Sequence, residues 1–139
     1  MTDPAPPFTW PVRVYIEDTD AGGIVFYANY LKFMERARTE WARARGIAMR
    51  AGLGENISFV VHGLEIRYLR PARLDDQLWV SADVTRFGKT YMDFEQQVGL
   101  AGSGDVLVQA RIKVACTNLL TGRPRAMPES LRAALERAG

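Results

Sequence analysis

The chain has 139 residues, of which 47% are hydrophobic and 24% are charged, a composition typical of one globular domain. These values exclude a disordered tail, a fibrous repeat and a coiled coil, and a formal net charge of +2 is too small for the footprint of a duplex-DNA-binding protein. The only cysteine, Cys116, and the only histidine, His62, exclude an intrachain disulfide and supply too few ligands for a zinc site.

The first strand is predicted from alternation over residues 12–18, where Ile16 and Asp18 continue the inward-facing register. Three prolines within residues 1–7 predict a loose lead-in, which lacks the apolar run of a signal peptide. Because no window reaches about 18 consecutive apolar residues, we also expect no transmembrane segment. The sequence therefore predicts a soluble, cytoplasmic protein with a single domain over residues 1–139.

A long amphipathic helix is predicted over residues 28–45, and residues 47–57 are expected to form a loop. Apolar residues recur in the helix at helical spacing and form one stripe: Tyr30, Phe33, Met34, Ala37, Trp41 and Ala44. Gly46 follows the stripe and suits the left-handed position at which many helices end. At 1.5 Å per residue the helix would be about 27 Å long, the longest element of the chain.

Four further strands are predicted, because the apolar period changes to two from residue 59 onward. Their predicted inward-facing residues are Val60, His62, Leu64, Ile66 and Tyr68; Leu78, Val80, Ala82 and Val84; Met92, Phe94 and Val98; and Val106, Val108, Ala110, Ile112, Val114 and Cys116. Turn signals at residues 87–89 and 102–105 favour hairpins and antiparallel pairing among these four strands. Pro128 then opens a short C-terminal helix.

This order of elements predicts an α+β fold in which a curved, antiparallel five-stranded sheet wraps around one long helix. A single helix leaves the edges of the sheet and part of its far face uncovered. Exposed edges of that kind favour association with other copies of the chain, so we expect a homo-oligomer.

His62 and Cys116 are predicted to be structural. His62 lies in the apolar register of its strand, which is typical of a packed histidine without a catalytic role. Cys116 lies on an apolar face and is expected to be a buried, unreactive thiol. No Gly-x-Ser-x-Gly elbow is present, and the glycines at 102 and 104 belong to a hairpin turn rather than to a phosphate-binding loop.

The unusual segment is residues 17–30, with the sequence EDTDAGGIVFYANY. Three carboxylates lie within four residues of each other, two glycines follow, and the chain then enters the main helix. A helix N-terminus offers unpaired amides that can polarise a carbonyl oxygen, and a nearby carboxylate can act as base or nucleophile. The pattern alone leaves a second reading open, in which Asp18 and Asp20 merely cap turns.

Residues 13–40, which contain this segment, resemble the signature of hotdog-fold acyl-CoA thioesterases of the 4-hydroxybenzoyl-CoA thioesterase type. The resemblance is closest to the YbgC-type branch that is found with the bacterial Tol–Pal cell-envelope system. A second block, residues 70–76 (RPARLDD), supports it, and residues 123–128 (RPRAMP) give a looser match.

The resemblance implies roles for individual residues of the segment. Asp20 matches the catalytic carboxylate, which either attacks the thioester carbonyl or activates water. The backbone N–H of Tyr27 matches the group that polarises this carbonyl, although many members of the YbgC-type branch carry histidine at that position. Gly22 and Gly23 would let the backbone approach the substrate.

The resemblance also implies partners. Lys89, Thr90 and Arg125 align with positions that contact the nucleotide end of coenzyme A. The expected substrate is acyl-CoA, or an acyl group on an acyl carrier protein, and no cofactor, metal ion or nucleic acid is expected. The expected assembly is a tetramer made of two dimers, located in the cytoplasm or at the inner face of the inner membrane.

Two other functions remain open. The same fold could carry an acyl hydratase or dehydratase, but such enzymes typically use a catalytic histidine, and His62 is the only one available. The chain could also be a non-catalytic acyl-binding module of an envelope-linked complex. Release of free thiol from acyl-CoA would separate the thioesterase from both.

Overall fold

The computed structural model describes residues 8–47 and 56–138. In this part of the chain there are five strands, two α-helices and one short 3-10 helix. The strands are β1 (Phe8–Arg13), β2 (Ile57–Tyr68), β3 (Gln77–Phe87), β4 (Tyr91–Leu100) and β5 (Val106–Asn118). The helices are the 3-10 helix (Ile16–Asp18), α1 (Asn29–Ala44) and α2 (Glu129–Ala138). The predicted lead-in, residues 1–7, lies outside the described residues, as does most of the predicted loop.

The five strands form one antiparallel sheet in the order β1-β3-β4-β5-β2. This confirms the predicted five-stranded sheet and the hairpins predicted at residues 87–89 and 102–105, whose loops are residues 88–90 and 101–105. One predicted hairpin is wrong, because β2 pairs with β5 and not with β3, which follows it in the chain. The connection over residues 69–76 crosses the sheet instead, and β2 becomes an edge strand.

Helix α1 packs on the sheet against β1 and β3, as its apolar stripe predicts. Five of the six predicted stripe residues are buried: Tyr30, Phe33, Met34, Ala37 and Trp41. Ala44 is exposed, because it lies in the last turn, where the helix leaves the sheet. Gly46 has a φ of 72° and ends the helix in the left-handed conformation that was predicted.

The first strand is shifted from its predicted position. It covers Phe8–Arg13, and the predicted strand residues 16–18 form the 3-10 helix instead. Val14 is fully buried, but Ile16 is 77% exposed, so the inward register ends before Ile16. Val14 exchanges backbone hydrogen bonds with Asp75 and Asp76, at the end of the 69–76 connection, rather than with a strand. Alternation of side chains cannot detect this change of partner.

Strand β2 contains a bulge at His62 that changes the predicted register. Val61 pairs with Val114, and Gly63 pairs with Lys113, so His62 has no partner in the ladder. The extra residue moves Val60 to the outer face, while the later residues of β2 keep the inward register. His62 is exposed at this bulge, and the prediction that it is a packed histidine is wrong.

Candidate active site

The segment between the 3-10 helix and α1 folds back on itself as a short hairpin. The amide of Asp20 donates a hydrogen bond to the carbonyl of Ile24 at 2.9 Å, and the amide of Phe26 donates to the carbonyl of Asp18 at 3.0 Å. A bridge between residues 19 and 25 lies between these two bonds. Asp20 therefore lies near the tip of a hairpin that leads directly into the N-terminus of α1.

The carboxylate of Asp20 is held by the backbone of its own loop. Its Oδ1 accepts hydrogen bonds from the amide of Gly22 at 2.8 Å and from the amide of Ile24 at 3.4 Å. A Cβ atom at Gly22 would lie 3.3 Å from this oxygen, and Gly23 has a φ of 79°, which favours glycine. Asp20 is exposed to solvent, so an oriented carboxylate is accessible to a ligand.

Asp18 is buried and holds the hairpin in place through its carboxylate. It is 7% exposed, its Oδ2 accepts a hydrogen bond from the amide of Tyr15, and its Oδ1 accepts one from Nδ2 of Asn29, both at 2.9 Å. Asn29 is the first residue of α1, so Asp18 ties the hairpin to the helix. Because the backbone of Thr19 is extended, Asp18 and Asp20 lie on the same side of the chain.

The connection between β2 and β3 is hydrogen-bonded to the hairpin. The amide of Val25 donates to the carbonyl of Ala72 at 2.8 Å, and the amide of Leu74 donates to the carbonyl of Gly23 at 3.0 Å. The amide of Ala72 also donates to the hydroxyl oxygen of Tyr30 in α1 at 3.0 Å. The first two sequence blocks that carry the family resemblance thus form one continuous structure.

The N-terminus of α1 presents a free amide at the position expected to polarise a carbonyl. Among residues 8–47 and 56–138, the N–H of Tyr27 donates to no backbone or side-chain acceptor. It lies at the positive end of the helix dipole, where the first amides have no partner within the helix. The ring of Tyr27 is 64% exposed and makes an aromatic contact with Phe26 at 4.7 Å between centroids.

Tyr68 is a residue of this site that sequence analysis did not single out as functional. Its hydroxyl donates a hydrogen bond to the carbonyl oxygen of Tyr27 at 2.8 Å, and its ring centroid lies 5.7 Å from that of Tyr30. Partial desolvation, and to a lesser extent the neighbouring Tyr27, raises the pKa of Tyr68 above its ordinary value, and the hydroxyl retains the proton that it donates to Tyr27. The feature of the sequence that could have pointed to Tyr68 is its inward register at the last position of β2.

The residues predicted to contact coenzyme A lie together at the start of β4. The amide of Cys116 donates to the carbonyl of Thr90 at 2.8 Å, and the amide of Arg125 donates to the carbonyl of Cys116 at 2.9 Å. The amide of Met127 donates to the carbonyl of Lys89 at 2.9 Å. Three segments distant in sequence are therefore neighbours, and Cys116 beneath them is buried, as predicted.

The two predicted parts of the site lie at opposite ends of one protomer. The amide of Val14, close to the hairpin, donates to the carbonyl of Asp76 immediately before β3, whereas Lys89 follows the end of β3. Strand β3 has 11 residues, and at 3.3 Å per step its first and last residues lie about 33 Å apart. Asp20 and Arg125 of one chain are not brought together by this fold.

One long helix packed against a five-stranded antiparallel sheet is the architecture of the hotdog-fold thioesterases. The sequence model of the thioesterase superfamily matches residues 22–112, and this chain belongs to that superfamily. The predicted fold class, enzyme class and family resemblance are confirmed.

Individual relatives agree with this assignment. The chain is 44% identical over 128 residues to the acyl-CoA thioesterase YbgC of Haemophilus influenzae, a match covering 91% of this chain and 93% of the relative. It is 42% identical over 124 residues to the acyl-CoA thioester hydrolase YbgC of an Escherichia coli strain, covering 89% and 92%. The crystal structure of a probable thioesterase from Bartonella henselae matches with a TM-score of 0.78 and 35% identity, covering 86% of this chain and 98% of that one.

No helix in the described ranges is long and apolar enough to cross a membrane. Among the described side chains, no group of three or more histidine, cysteine, aspartate or glutamate residues is arranged to hold a metal ion.

Proposed function

We propose that this protein hydrolyses the thioester of acyl-CoA at the N-terminus of α1, with Asp20 as the catalytic carboxylate. The assignment of acyl-CoA thioester hydrolysis is supported by membership of the thioesterase superfamily and by the YbgC relatives, which are named for this activity. The observation that carries the assignment of the residue is the fixed, exposed carboxylate of Asp20 on a hairpin that runs into the helix.

In this proposal the thioester carbonyl oxygen accepts a hydrogen bond from the N–H of Tyr27. Negative charge develops on that oxygen as the carbonyl carbon becomes tetrahedral, and a preorganised amide stabilises it more strongly in the transition state than in the ground state. The C–S bond then breaks, and coenzyme A leaves as a thiolate that takes a proton from solvent. Asp20 is on the same side of its chain as Asp18, which contacts the first residue of the helix.

Asp20 can act in two ways. As a nucleophile, one of its oxygens bonds to the carbonyl carbon and gives an acyl-enzyme anhydride, which water then hydrolyses. As a general base, it removes a proton from the water molecule that attacks the same carbon. Both routes consume one water and give one carboxylic acid and one thiol, so no further cofactor is invoked. Dialysis against a chelator should leave turnover unchanged.

The test of this function is thiol release from a panel of short, long and aromatic acyl-CoA substrates. Turnover of at least one substrate that is lost in Asp20→Asn supports the assignment. Hydration of an enoyl-CoA without thiol release would instead support the hydratase, and binding without either reaction would support the acyl-binding module.

We further propose that a complete site is formed between two copies of the chain. The edge strand β2 has 12 residues and carries exposed apolar side chains on both faces, Val60 at 42% on the outer face and Val61 at 47% on the inner face, as expected for a covered edge. If two copies paired antiparallel through β2, the Tyr68 end of one strand would lie beside the Ile57 end of the other. Ile57 pairs with Asn118 at the end of β5, on the side of the protomer that carries Arg125.

Such pairing supports a site in which Asp20 comes from one copy and Arg125 from the other. A mixing experiment tests it, because each hybrid dimer of Asp20→Asn with Arg125→Ala would contain one doubly altered site and one unaltered site. Because one of its two sites is unaltered, the hybrid should have a higher kcat/KM than either parent variant. If each site used residues of a single chain, every site would carry one change, and the kcat/KM of the hybrid would lie between those of the two parents.

Lys89, Thr90 and Arg125 are proposed to bind the phosphates of coenzyme A. This proposal is supported by the backbone hydrogen bonds that bring the segments of these residues together, so that two cations and a hydroxyl lie on adjacent segments. A guanidinium binds phosphate in a bidentate fork, which suits Arg125. The other sequence-based expectations are proposals of the same kind: a dimer of dimers, acyl carrier protein as an alternative carrier, and a cytoplasmic location near the inner membrane with the Tol–Pal system.

Light scattering tests the tetramer, and cell fractionation with affinity capture tests the location and the partners. A stable monomer at micromolar concentration would contradict the proposed assembly and leave the proposed site without its second half.

A further inference from the structure

The peptide units at the start of α1 are held from outside the helix by Tyr68. Its hydroxyl donates to the carbonyl oxygen of Tyr27 at 2.8 Å, and Tyr68 itself is fixed in the sheet by pairing with Val108. Its ring also contacts the ring of Tyr27, with centroids 6.4 Å apart and a nearly perpendicular arrangement. The last residue of β2 is therefore connected to the residue whose amide faces the proposed carbonyl site.

The remaining contacts of this turn do not replace that connection. The amide of Asn29 donates to the carbonyl of Phe26, and the amide of Leu31 donates to the carbonyl of Ala28. These bonds close the turn on either side of Tyr27. The Tyr68 bond is the contact that links the Tyr27 carbonyl to the sheet, so it restricts the rotation of the backbone on both sides of that residue.

We infer that Tyr68 is a positioning residue of the thioesterase site: its hydroxyl orients and polarises the first backbone amides of α1 through the carbonyl of Tyr27. This inference rests on the proposed function. Donation to a carbonyl makes the N–H of the same peptide unit, here that of Ala28, a stronger donor. Fixed backbone angles at Tyr27 aim its own N–H, and an amide that is already aimed needs no reorganisation during the reaction.

The kinetic test is Tyr68→Phe, which keeps the ring contacts and removes only the hydroxyl. We expect kcat to fall about fivefold, the equivalent of one neutral hydrogen bond, while KM stays within about twofold. Tyr15→Phe is the matched control, because Tyr15 is also an exposed tyrosine, at 59%, and its substitution should leave kcat unchanged. An unchanged kcat in Tyr68→Phe, with the protein folded, would overturn the inference.

A spectroscopic test separates this inference from the proposed function. The infrared stretch of a carbon-13-labelled thioester carbonyl is measured for acyl-CoA bound to Asp20→Asn, in which turnover is slow. Hydrogen bonding by the helix N-terminus should lower this frequency relative to acyl-CoA in solution. Adding Tyr68→Phe should return part of the shift, and adding Tyr15→Phe should return none.

Each outcome has one meaning. No lowering of the frequency in Asp20→Asn would contradict the proposed role of the helix N-terminus, and the inference about Tyr68 would fall with it. A lowered frequency that Tyr68→Phe does not change would leave the proposed function intact and overturn the role of Tyr68.

Discussion

The two ends of the sheet are built in different ways. At the hairpin end, the carboxylate of Asp20 is held by amides two and four residues further along the chain. At the opposite end, Thr90 and Arg125 become neighbours only because each bonds to Cys116 in β5. The first arrangement depends on local backbone chemistry, and the second depends on which strands are adjacent.

This difference bears on function. A group that must be aimed at a reacting carbon benefits from short loops, since few torsions can then disturb it. Binding of a phosphate group depends more on positive charge than on exact orientation, so cationic side chains from separate segments can bind it. Substitutions at the hairpin end should therefore change kcat, and substitutions at the opposite end should change KM.

Asp20→Asn should have the largest effect. An amide is a much weaker base and nucleophile than a carboxylate, so kcat should fall at least about 100-fold while substrate affinity changes little. Steady-state kinetics measures both. Asp18→Asn is the paired variant, and its buried oxygens meet two donors, so it should lower stability by about 1–3 kcal/mol in a thermal melt. If Asp18→Asn abolished turnover in the folded state and Asp20→Asn did not, the catalytic carboxylate would be the other one.

Gly22→Ala should have the next largest effect at the hairpin end. The added methyl would lie 3.3 Å from Oδ1 of Asp20, so the carboxylate or the loop must shift. A displacement of this size in an aimed group should lower kcat about tenfold, with KM nearly unchanged. Gly104→Ala is the control, because a Cβ atom there meets nothing within 4 Å. Equal kcat in the two variants would show that the orientation of Asp20 does not matter.

Arg125→Ala should raise KM about fivefold and leave kcat close to that of the unaltered protein, as expected when uniform binding is lost. The penalty should shrink as salt is added, since a partly exposed ionic contact is screened. Arg137→Ala, an exposed arginine in the last turn of α2, is the control. A KM that does not depend on Arg125 at low salt would remove this residue from the site.

Tyr30→Phe should have the smallest effect on the reaction and a measurable effect on stability. Its hydroxyl oxygen accepts the amide of Ala72, so its removal should cost about 1 kcal/mol at neutral pH. Burial raises the pKa of Tyr30 above its ordinary value of 10.0, so the folded state retains the proton longer than the unfolded state. The contribution of the neutral Tyr30 hydroxyl to the free energy of unfolding is therefore fully present below about pH 10, the unfolded pKa. It is lost as the pH rises through the folded pKa.

The alkaline part of this prediction is checked by urea unfolding between about pH 9 and pH 11, the range around the ordinary tyrosine pKa. The loss of stability with rising pH should be shallower in Tyr30→Phe than in the unaltered protein. Identical slopes would show that the buried hydroxyl of Tyr30 does not contribute to alkaline unfolding.

Much of the fold could be predicted from local patterns. The stripe from Tyr30 to Trp41 predicted α1, since a helix places every third or fourth side chain on one face. The alternation in β3, β4 and β5 predicted three strands with the correct inward faces, and Met92 and Phe94 are fully buried. The segment carrying Asp20 was also recognised as a break in the chain, because glycines and clustered carboxylates have local reasons to occur where the chain turns. That this break is a hairpin was not predicted.

What the sequence by itself determined is therefore the main helix, the strands β3, β4 and β5 with their inward faces, and the segment that carries Asp20, all of which depend on neighbours a few residues away. Only the tertiary structure decided the place of β2 at the edge, the bulge that exposes His62, and the contact of Tyr68 with Tyr27. It alone also separated Asp20 from Arg125 by the length of the sheet. The physical reason is that strand order and register minimise the free energy of the whole packed sheet, so no local period can report them.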